Sequence, residues 1–224
     1  MQKIGKKTLR HEVYEQLLDG ILSGRLPVGS QLDEQELSES LGISRTPLRE
    51  AINRLVQEKL ITEIPYKGNF VRRFAPEEVA EIYEVRKTLE VMAIRQAVRR
   101  MTDPESEEIA ELVRLMDDAQ DRGDIPAYSA LDGQFHAKIA EFSRNRVLVQ
   151  LLGSLDLQIR LIRQMANRKP ATVNRSQFER LQISEAIAKR SEDLAAMFME
   201  THIDNVMKDA VAMLREDGAS ETPD

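Results

Sequence analysis

The chain has 224 residues, no cysteine, few aromatic residues and a formal net charge of −6. Its length suits two domains of unequal size, and the absence of cysteine excludes disulfides and thiolate metal sites, as in a reducing cytoplasm. No apolar run approaches the roughly 18 residues that a membrane span needs. We therefore expect a cytoplasmic protein without a membrane partner.

The charge is unevenly distributed along the chain. Residues 1–74 carry a net charge of +2, whereas the remaining residues carry −8. A locally basic tip on an acidic body remains compatible with contact to phosphate groups, because the field depends on charges within about one Debye length.

The N-terminal third begins with a helix-turn-helix pattern. Apolar residues recur at helical spacing in three segments, which predicts helices over 8–23, 33–41 and 45–59. Gly42 supplies the permissive backbone for a tight turn between the second and third helices. Ser44 is a suitable N-cap for the third helix.

Two strand-like runs follow the third helix. Residues 61–64 and 69–73 alternate in polarity, and the bend between them runs from Pro65 to Gly68. A helix-turn-helix followed by a small hairpin is typical of the winged helix-turn-helix, which binds DNA.

The third helix has an apolar side and a polar side. Arginine, threonine and an exposed helix N-terminus suit phosphate oxygens and guanine edges in the major groove. A short basic loop at the hairpin tip can approach the DNA backbone or minor groove. The alternative is that these are solvated residues on an ordinary amphipathic helix and surface hairpin.

The stretch LDEQELSESLGISRTPLREAINRLVQEKLI, followed by YKGNFV, strongly resembles the DNA-binding domain of the GntR family of bacterial transcription regulators. The resemblance covers roughly residues 8–73, and SRTPLREA is its most specific part. It implies double-stranded DNA as partner. The DNA contacts that it implies are Ser44, Arg45, Thr46, Arg49, Lys67 and Gly68. Gln35 stands where some relatives have an arginine.

Composition changes after Phe74-Ala75-Pro76, so we predict domains over 1–75 and 76–224. The second domain has helical patterns over 77–101, 105–122, 125–142, 146–168, 172–190 and 192–216. It has neither a strand-like run nor a glycine-rich phosphate loop. The predicted fold is mainly α: a winged helix-turn-helix with a two-stranded wing, then an all-α bundle of about six helices that can enclose a pocket.

Three polar residues stand out in the second domain. Asp132 and His136 are four residues apart and share one helix face, and His202 lies on another helix. Each histidine alone is more simply explained as a hydrogen-bonded core residue. Together, carboxylate and imidazole groups favour a site for zinc, nickel or manganese.

This domain resembles the FCD ligand-binding domain of the FadR branch of the GntR family, in the motifs VRKTLE, DGQFH, SRN, ERLQISEAI and THI. The resemblance implies a metal held by one aspartate and three histidines, and a carboxylate effector that completes the coordination. Asp132, His136 and His202 match three ligand positions, and the fourth falls on Arg180. The resemblance also places Arg86 at the pocket, the alternative being an exposed arginine paired with Glu90.

Arg180 departs from the family pattern, because a protonated guanidinium cannot ligate a metal. In one interpretation a metal remains on three protein ligands plus water or effector, and Arg180 is turned aside. In the other there is no metal, and Arg180 either holds an acidic effector or pairs with Asp132. We favour the second.

These features together predict a homodimeric transcription regulator, not an enzyme. Two recognition helices would bind a palindromic operator, and a small acidic metabolite in the bundle would control that binding. The resemblance favours a repressor. One alternative is a metal-dependent α-helical enzyme using Asp132, His136 and His202, and another is an interaction module that has lost DNA binding.

Overall fold

The computed structural model describes residues 9–166 and 170–220, and the side chains within them except those of 165–172 and 217–220. The chain divides into two compact units, residues 1–73 and 74–224. This division falls two residues before the predicted domain boundary.

The described part of the N-terminal unit contains three helices and three short strands. They are α1 (Leu9–Leu22), β1 (Gln31–Leu32), α2 (Glu34–Ser40), α3 (Arg45–Gln57), β2 (Ile61–Ile64) and β3 (Gly68–Val71). The sheet is antiparallel, with β3 between β1 and β2. The two predicted strands of the wing are β2 and β3, and the sheet has a third strand, β1, that was not predicted because its two residues show no alternating pattern.

Local chemistry accounts for the helix-turn-helix. The Asp33 carboxylate caps α2 by accepting hydrogen bonds from the backbone N–H groups of Gln35 and Glu36, at 2.8 and 3.0 Å. Gly42 adopts a φ of +65°, a conformation that strains other residues. The chain therefore ends α2 and reverses before α3 begins.

The core of this unit lies between α1, α3 and the sheet. Its buried apolar residues include Leu17, Ile21, Leu48, Ala51, Ile52, Leu55, Leu60 and Val71. Because this stripe of α3 is buried, the opposite side of the helix faces solvent.

The described part of the C-terminal unit is a bundle of six helices. They are α4 (Pro76–Arg100), α5 (Asp103–Asp121), α6 (Ile125–Phe142), α7 (Arg146–Ala166), α8 (Pro170–Ala188) and α9 (Glu192–Ser220). This confirms the predicted class, mainly α with a winged helix followed by a helical bundle. The end of the predicted helix 146–168 lies partly outside the described residues.

Sequence signals at the helix ends explain where the bundle turns. Thr102 and Glu105 form a capping box at the start of α5. Arg144 and Arg190 adopt left-handed backbone conformations, with φ of 56° and 54°, and they end α6 and α8 at the predicted breaks. No helix in the described part of the chain is long and apolar enough to cross a bilayer.

The interior of the bundle contains an unusual number of charged side chains. Arg86, Glu90, Asp132, Arg163 and Arg180 are all at most 5% exposed. Charged residues are almost never buried to this degree unless they are paired. The candidate ligand site therefore lies at the centre of the bundle, where α4, α6 and α9 pack together with α7 and α8.

Candidate functional site

The exposed side of α3 presents four of the predicted DNA-contact residues. Ser44, Arg45, Thr46 and Arg49 are all exposed to solvent at its N-terminal end. Ser44 is at the N-cap position with extended backbone, but its hydroxyl makes no capping hydrogen bond. The hydroxyl and the first backbone N–H groups of α3 therefore face solvent, where a phosphate can accept hydrogen bonds from them.

Residues of α2 orient Arg45 and Arg49, two of the arginines of α3. Arg49 Nε donates to Glu34 Oε2 at 2.6 Å, and this hydrogen bond raises the pKa of Arg49. The other Glu34 oxygen lies 3.5 Å from Asn69 Nδ2 in β3. Arg45 Nη2 is 3.4 Å from Gln35 Oε1. Gln35 therefore contacts one of the predicted DNA-binding arginines.

The tip of the wing lies between β2 and β3. Tyr66 and Gly68 adopt positive φ angles of 63° and 101°, and Lys67 is exposed. The Gln31 side chain donates a hydrogen bond to the Lys67 carbonyl at 2.8 Å, so β1 supports the tip. The Lys67 ammonium is left at the surface, as expected for a phosphate contact.

The bundle brings together the three predicted metal-ligand residues. Asp132 and His136 lie on α6 and His202 lies on α9, and one potential ligand atom from each falls within 4.8 Å of the others. His136 Nε2 is 3.7 Å from Asp132 Oδ1. The rings of His136 and His202 stack with their centroids 5.6 Å apart.

Two arginines share the Asp132 carboxylate. Arg180 on α8 and Arg163 on α7 both form ion pairs with it, and Arg180 also donates a hydrogen bond to the Tyr128 hydroxyl at 2.6 Å. Burial, together with the nearby guanidiniums of Arg86 and Arg180, lowers the pKa of Arg163 to about 9. Arg163 is still a cation at pH 7, and one carboxylate connects α6, α7 and α8.

A carboxylate orients each imidazole. His136 Nδ1 pairs with Glu90, and His202 Nδ1 lies 2.8 Å from Glu179 Oε2. Burial lowers the pKa of both histidines, that of His202 to about 3, so both rings are neutral at pH 7. Because a neutral ring donates its Nδ1–H to the carboxylate, we assign Nε2 as the acceptor of each ring, and that of His136 faces Asp132.

A cavity of about 530 Å³ opens beside this site, between α4, α6 and α7. Its polar lining is Arg86, Glu90, Gln134, His136, Asp156, Arg160 and Arg163, and the mid-helix glycines Gly133 and Gly153 also line it. Of the predicted effector-binding residues, Arg86 and His136 line the cavity, whereas Asp132, Arg180 and His202 lie behind its wall. Arg86 is paired with Glu90 at 2.7 Å. The alternative interpretation of Arg86 predicted this pair on the surface, but in the structure it is buried.

The centre of the bundle carries a surplus of positive charge. We define the buried charge cluster as Arg86, Glu90, Asp132, Arg163 and Arg180, whose side chains are at most 6% exposed. It contains three guanidiniums and two carboxylates. These five side chains carry a net charge of +1, and an uncompensated buried charge is costly unless an anion joins it. Glu179 lies outside the cluster, 3.4 Å from Arg175, which also pairs with Asp209.

The residues at this centre fit a divalent metal only in part. Histidines held by carboxylates are the usual surroundings of a bound metal. Asp132, however, is already paired with two guanidiniums. A divalent cation would add two positive charges to a buried cluster that already has one in excess.

Sequence reasoning missed Arg163 and Glu179. Arg163 lies four residues after Ile159 and next to Ile162, both of which are buried. A charged residue on the apolar stripe of α7 was therefore the available signal. Glu179 carried no comparable signal, because its role depends on α8 packing against α9.

An exposed basic recognition helix, a wing and an all-helical second domain define a winged-helix DNA-binding protein. Residues 9–71 match the family model described as bacterial regulatory proteins, gntR family, and residues 81–205 match the FCD domain. The chain belongs to the GntR family of bacterial transcription regulators, in the branch that carries an FCD domain.

Individual relatives agree with this assignment. The chain is 33% identical over 189 residues to the Nta operon transcriptional regulator of Aminobacter aminovorans, which covers 84% of this chain and 87% of the relative. It is 27% identical over 166 residues to the "Probable D-xylose utilization operon transcriptional repressor" of Paenarthrobacter nicotinovorans, covering 74% and 73%.

The crystal structure of a GntR transcriptional regulator from Rhodococcus sp. RHA1 has the same fold. Its TM-score is 0.79 at 22% identity, covering 91% of this chain and 97% of that one. The matching families and relatives are transcription regulators. The prediction that the protein is not an enzyme is thereby confirmed, and the alternative of a metal-dependent enzyme is wrong.

Proposed function

We propose that this regulator binds a small carboxylate metabolite in the cavity between α4, α6 and α7, and that the ligand controls its affinity for a palindromic operator. The observation that carries the proposal is the net charge of +1 in the buried charge cluster beside that cavity. A carboxylate is a small and common metabolite group, and its single negative charge neutralises this net charge. The cavity volume of about 530 Å³ suits a small molecule.

On the DNA side, we propose that α3 enters the major groove. Arg45 and Arg49 reach guanine edges or phosphates, and Ser44 and Thr46 contact phosphates at the helix N-terminus. Lys67 and Gly68 bring the wing tip to the DNA backbone. Two copies in a homodimer would present two such surfaces to the two half-sites of a palindrome.

On the ligand side, we propose that the site works without a metal. Arg163 and Arg180 already supply positive charge at Asp132, and a metal would add to the surplus that the cluster carries. Arg86 and His136 line the cavity and contact the ligand. Asp132, Arg180 and His202 lie behind the wall and hold the lining residues in place.

The proposed sense of regulation is repression that the ligand relieves. A relative bears the name of a transcriptional repressor, which supports this sense. Ligand and operator binding are then linked, so each weakens the other by the same factor.

The experiment is a fluorescence anisotropy titration with DNA from upstream of the protein's own gene, with and without a panel of hydroxy acids, sugar acids and dicarboxylates. We expect sequence-specific binding that falls steeply with salt and weakens in at least one carboxylate. Specific binding that no carboxylate alters would contradict ligand control. Near-stoichiometric zinc, nickel or manganese in protein purified without added metal would contradict the metal-free site.

A further inference from the structure

Asp132 has one more cationic partner than its single charge can neutralise. Its two partners differ in their surroundings. Arg180 has a second partner in the Tyr128 hydroxyl at 2.6 Å and does not line the cavity. Arg163 does line it, and its Nη2 lies 3.8 Å from the point where a Cβ on Gly133 would stand. The missing side chain of Gly133 leaves Arg163 approachable from the cavity.

Arg86 also lines the cavity, but its guanidinium already has a carboxylate partner of its own. Its Nε lies 2.7 Å from Glu90. Glu90 also pairs with His136, which is neutral. If Arg86 left Glu90, a buried carboxylate would lose its cation, at high cost. If Arg163 left Asp132, that carboxylate would keep Arg180.

We infer that Arg163 is the residue that binds the ligand carboxylate, and that it does so by exchanging Asp132 for the ligand. This inference rests on the proposed function only in taking the ligand to be a carboxylate. Two guanidiniums on one carboxylate become two separate one-to-one pairs, and a monocarboxylate brings the net charge of the cluster from +1 to zero. The planar guanidinium can hold the ligand carboxylate through two parallel hydrogen bonds.

The exchange has a mechanical consequence. In the absence of ligand, the Arg163–Asp132 ion pair ties α7 to α6. Ligand binding breaks this tie and leaves the Arg180–Asp132 tie between α8 and α6 intact. A ligand that interacts differently with the two arrangements shifts their populations, so α7 is the helix whose position the ligand changes.

The direct test is ¹⁵N NMR of the arginine Nε groups, with acetate as the probe. The resonances of Arg163 and Arg180 are assigned by their loss in Arg163→Lys and Arg180→Lys. Acetate up to about 0.1 M fills a site of millimolar affinity. We expect it to shift the Arg163 resonance and leave that of Arg180 nearly in place. An unmoved Arg163 resonance, or a shift at Arg180 alone, would overturn the inference.

A matched pair of variants tests the same point without NMR assignment. Arg163→Gln and Arg160→Gln each remove one positive charge from the cavity wall on α7. The Arg160 side chain is 40% exposed and lies 3.9 Å from Asp156. Because a charge-assisted hydrogen bond is lost, acetate affinity should fall more than about tenfold in Arg163→Gln. It should change less than about twofold in Arg160→Gln. Equal losses would refute the assignment.

Carboxylate binding by Arg163 and ligand control of operator binding can be tested independently. If acetate engages Arg163 but no carboxylate changes operator affinity, the role of Arg163 stands and ligand control of DNA binding fails. If carboxylates release the operator while Arg163 shows no response, ligand control stands and the exchange at Arg163 is wrong.

Discussion

Arginine–carboxylate pairs occur in both units of this protein, in opposite surroundings. In the winged helix, the Arg49 side chain is 62% exposed and its partner Glu34 is 25% exposed. In the bundle, Arg163 is 6% exposed and Asp132 is fully buried. Water and salt screen the first pair, so Arg49 can exchange Glu34 for a phosphate or a base at little cost to the fold.

The buried pair cannot change partners at such a low cost. Removing one partner leaves a charge that water cannot reach, which destabilises the fold strongly. Only another anion that enters the cavity can take the place of Asp132. We therefore expect the exposed arginine to exchange partners freely and the buried one to accept only an anion that enters the cavity.

The largest predicted effect is on stability and follows from Asp132→Asn. The substitution leaves Arg163 and Arg180 without their buried anion, so the free energy of unfolding should fall by about 3–5 kcal/mol. Chemical denaturation measures it. Glu34→Gln is the control from the winged helix, and its stability should be close to that of the wild type. Similar losses of stability in both variants would contradict the difference between the buried and the exposed ion pair.

Acid should destabilise the bundle through its buried histidines. The pKa of His202 is about 3 in the folded protein and about 6.5 in an unfolded chain. Below pH 6.5 the unfolded state binds a proton that the folded state does not, so stability falls as the pH falls. Between pH 6.5 and pH 5 His202 should contribute a loss of about 2 kcal/mol.

Denaturation at pH 7 and pH 5 checks this prediction in the wild type and in His202→Gln. The variant should lose less stability on acidification than the wild type. An identical loss in both proteins would mean that His202 does not titrate in this way.

Arg49→Ala should affect DNA binding and leave the fold unchanged. Operator affinity should fall by about 10- to 100-fold if Arg49 reads a base. Arg54→Ala is the control on the same helix, because Arg54 lies 3.6 Å from the Tyr14 ring centroid, on the side of α3 that faces α1. Anisotropy titrations measure both. Equal affinities for Arg49→Ala and the wild type would remove Arg49 from the interface.

The smallest predicted effects come from alanine substitutions at two glycines, which should change stability in opposite directions. A Cβ added to Gly153 or to Gly42 would meet no atom within 4 Å. Gly153 lies inside α7, so Gly153→Ala should stabilise the protein by about 0.5–1 kcal/mol. Gly42 has a φ of +65°, so Gly42→Ala should destabilise it by about 1–2 kcal/mol. Thermal unfolding distinguishes the two, and effects of the same sign would contradict this account.

The order and approximate bounds of the helices could be predicted from the sequence, because those signals are local. Apolar spacing, the turn at Gly42 and the interruptions of the helical pattern near Arg144 and Arg190 act over a few residues. The exposed positions around Ser44 and Arg49 follow from the same helical periodicity. β1 could not be predicted, because its two residues become a strand only by pairing with β3.

The site in the bundle was less predictable, for a physical reason. The proximity of Asp132 and His136 follows from helical spacing, and that of His202 was implied by the family resemblance. The contact of Arg163 with Asp132 depends on how α7 packs against α6, and no local pattern encodes that. Burial also changes the role of Arg86. An ion pair with Glu90 on a surface would contribute little to stability, whereas the same pair inside the bundle is costly to break.

The measurement that decides whether the bundle controls the winged helix is a reciprocal titration. Calorimetry gives the affinity of the carboxylate for the free protein and for the protein saturated with operator. Anisotropy gives operator affinity with and without that carboxylate. We predict that operator weakens carboxylate binding by the same factor that the carboxylate weakens operator binding. A carboxylate that binds equally well to the free and the operator-bound protein would contradict the account.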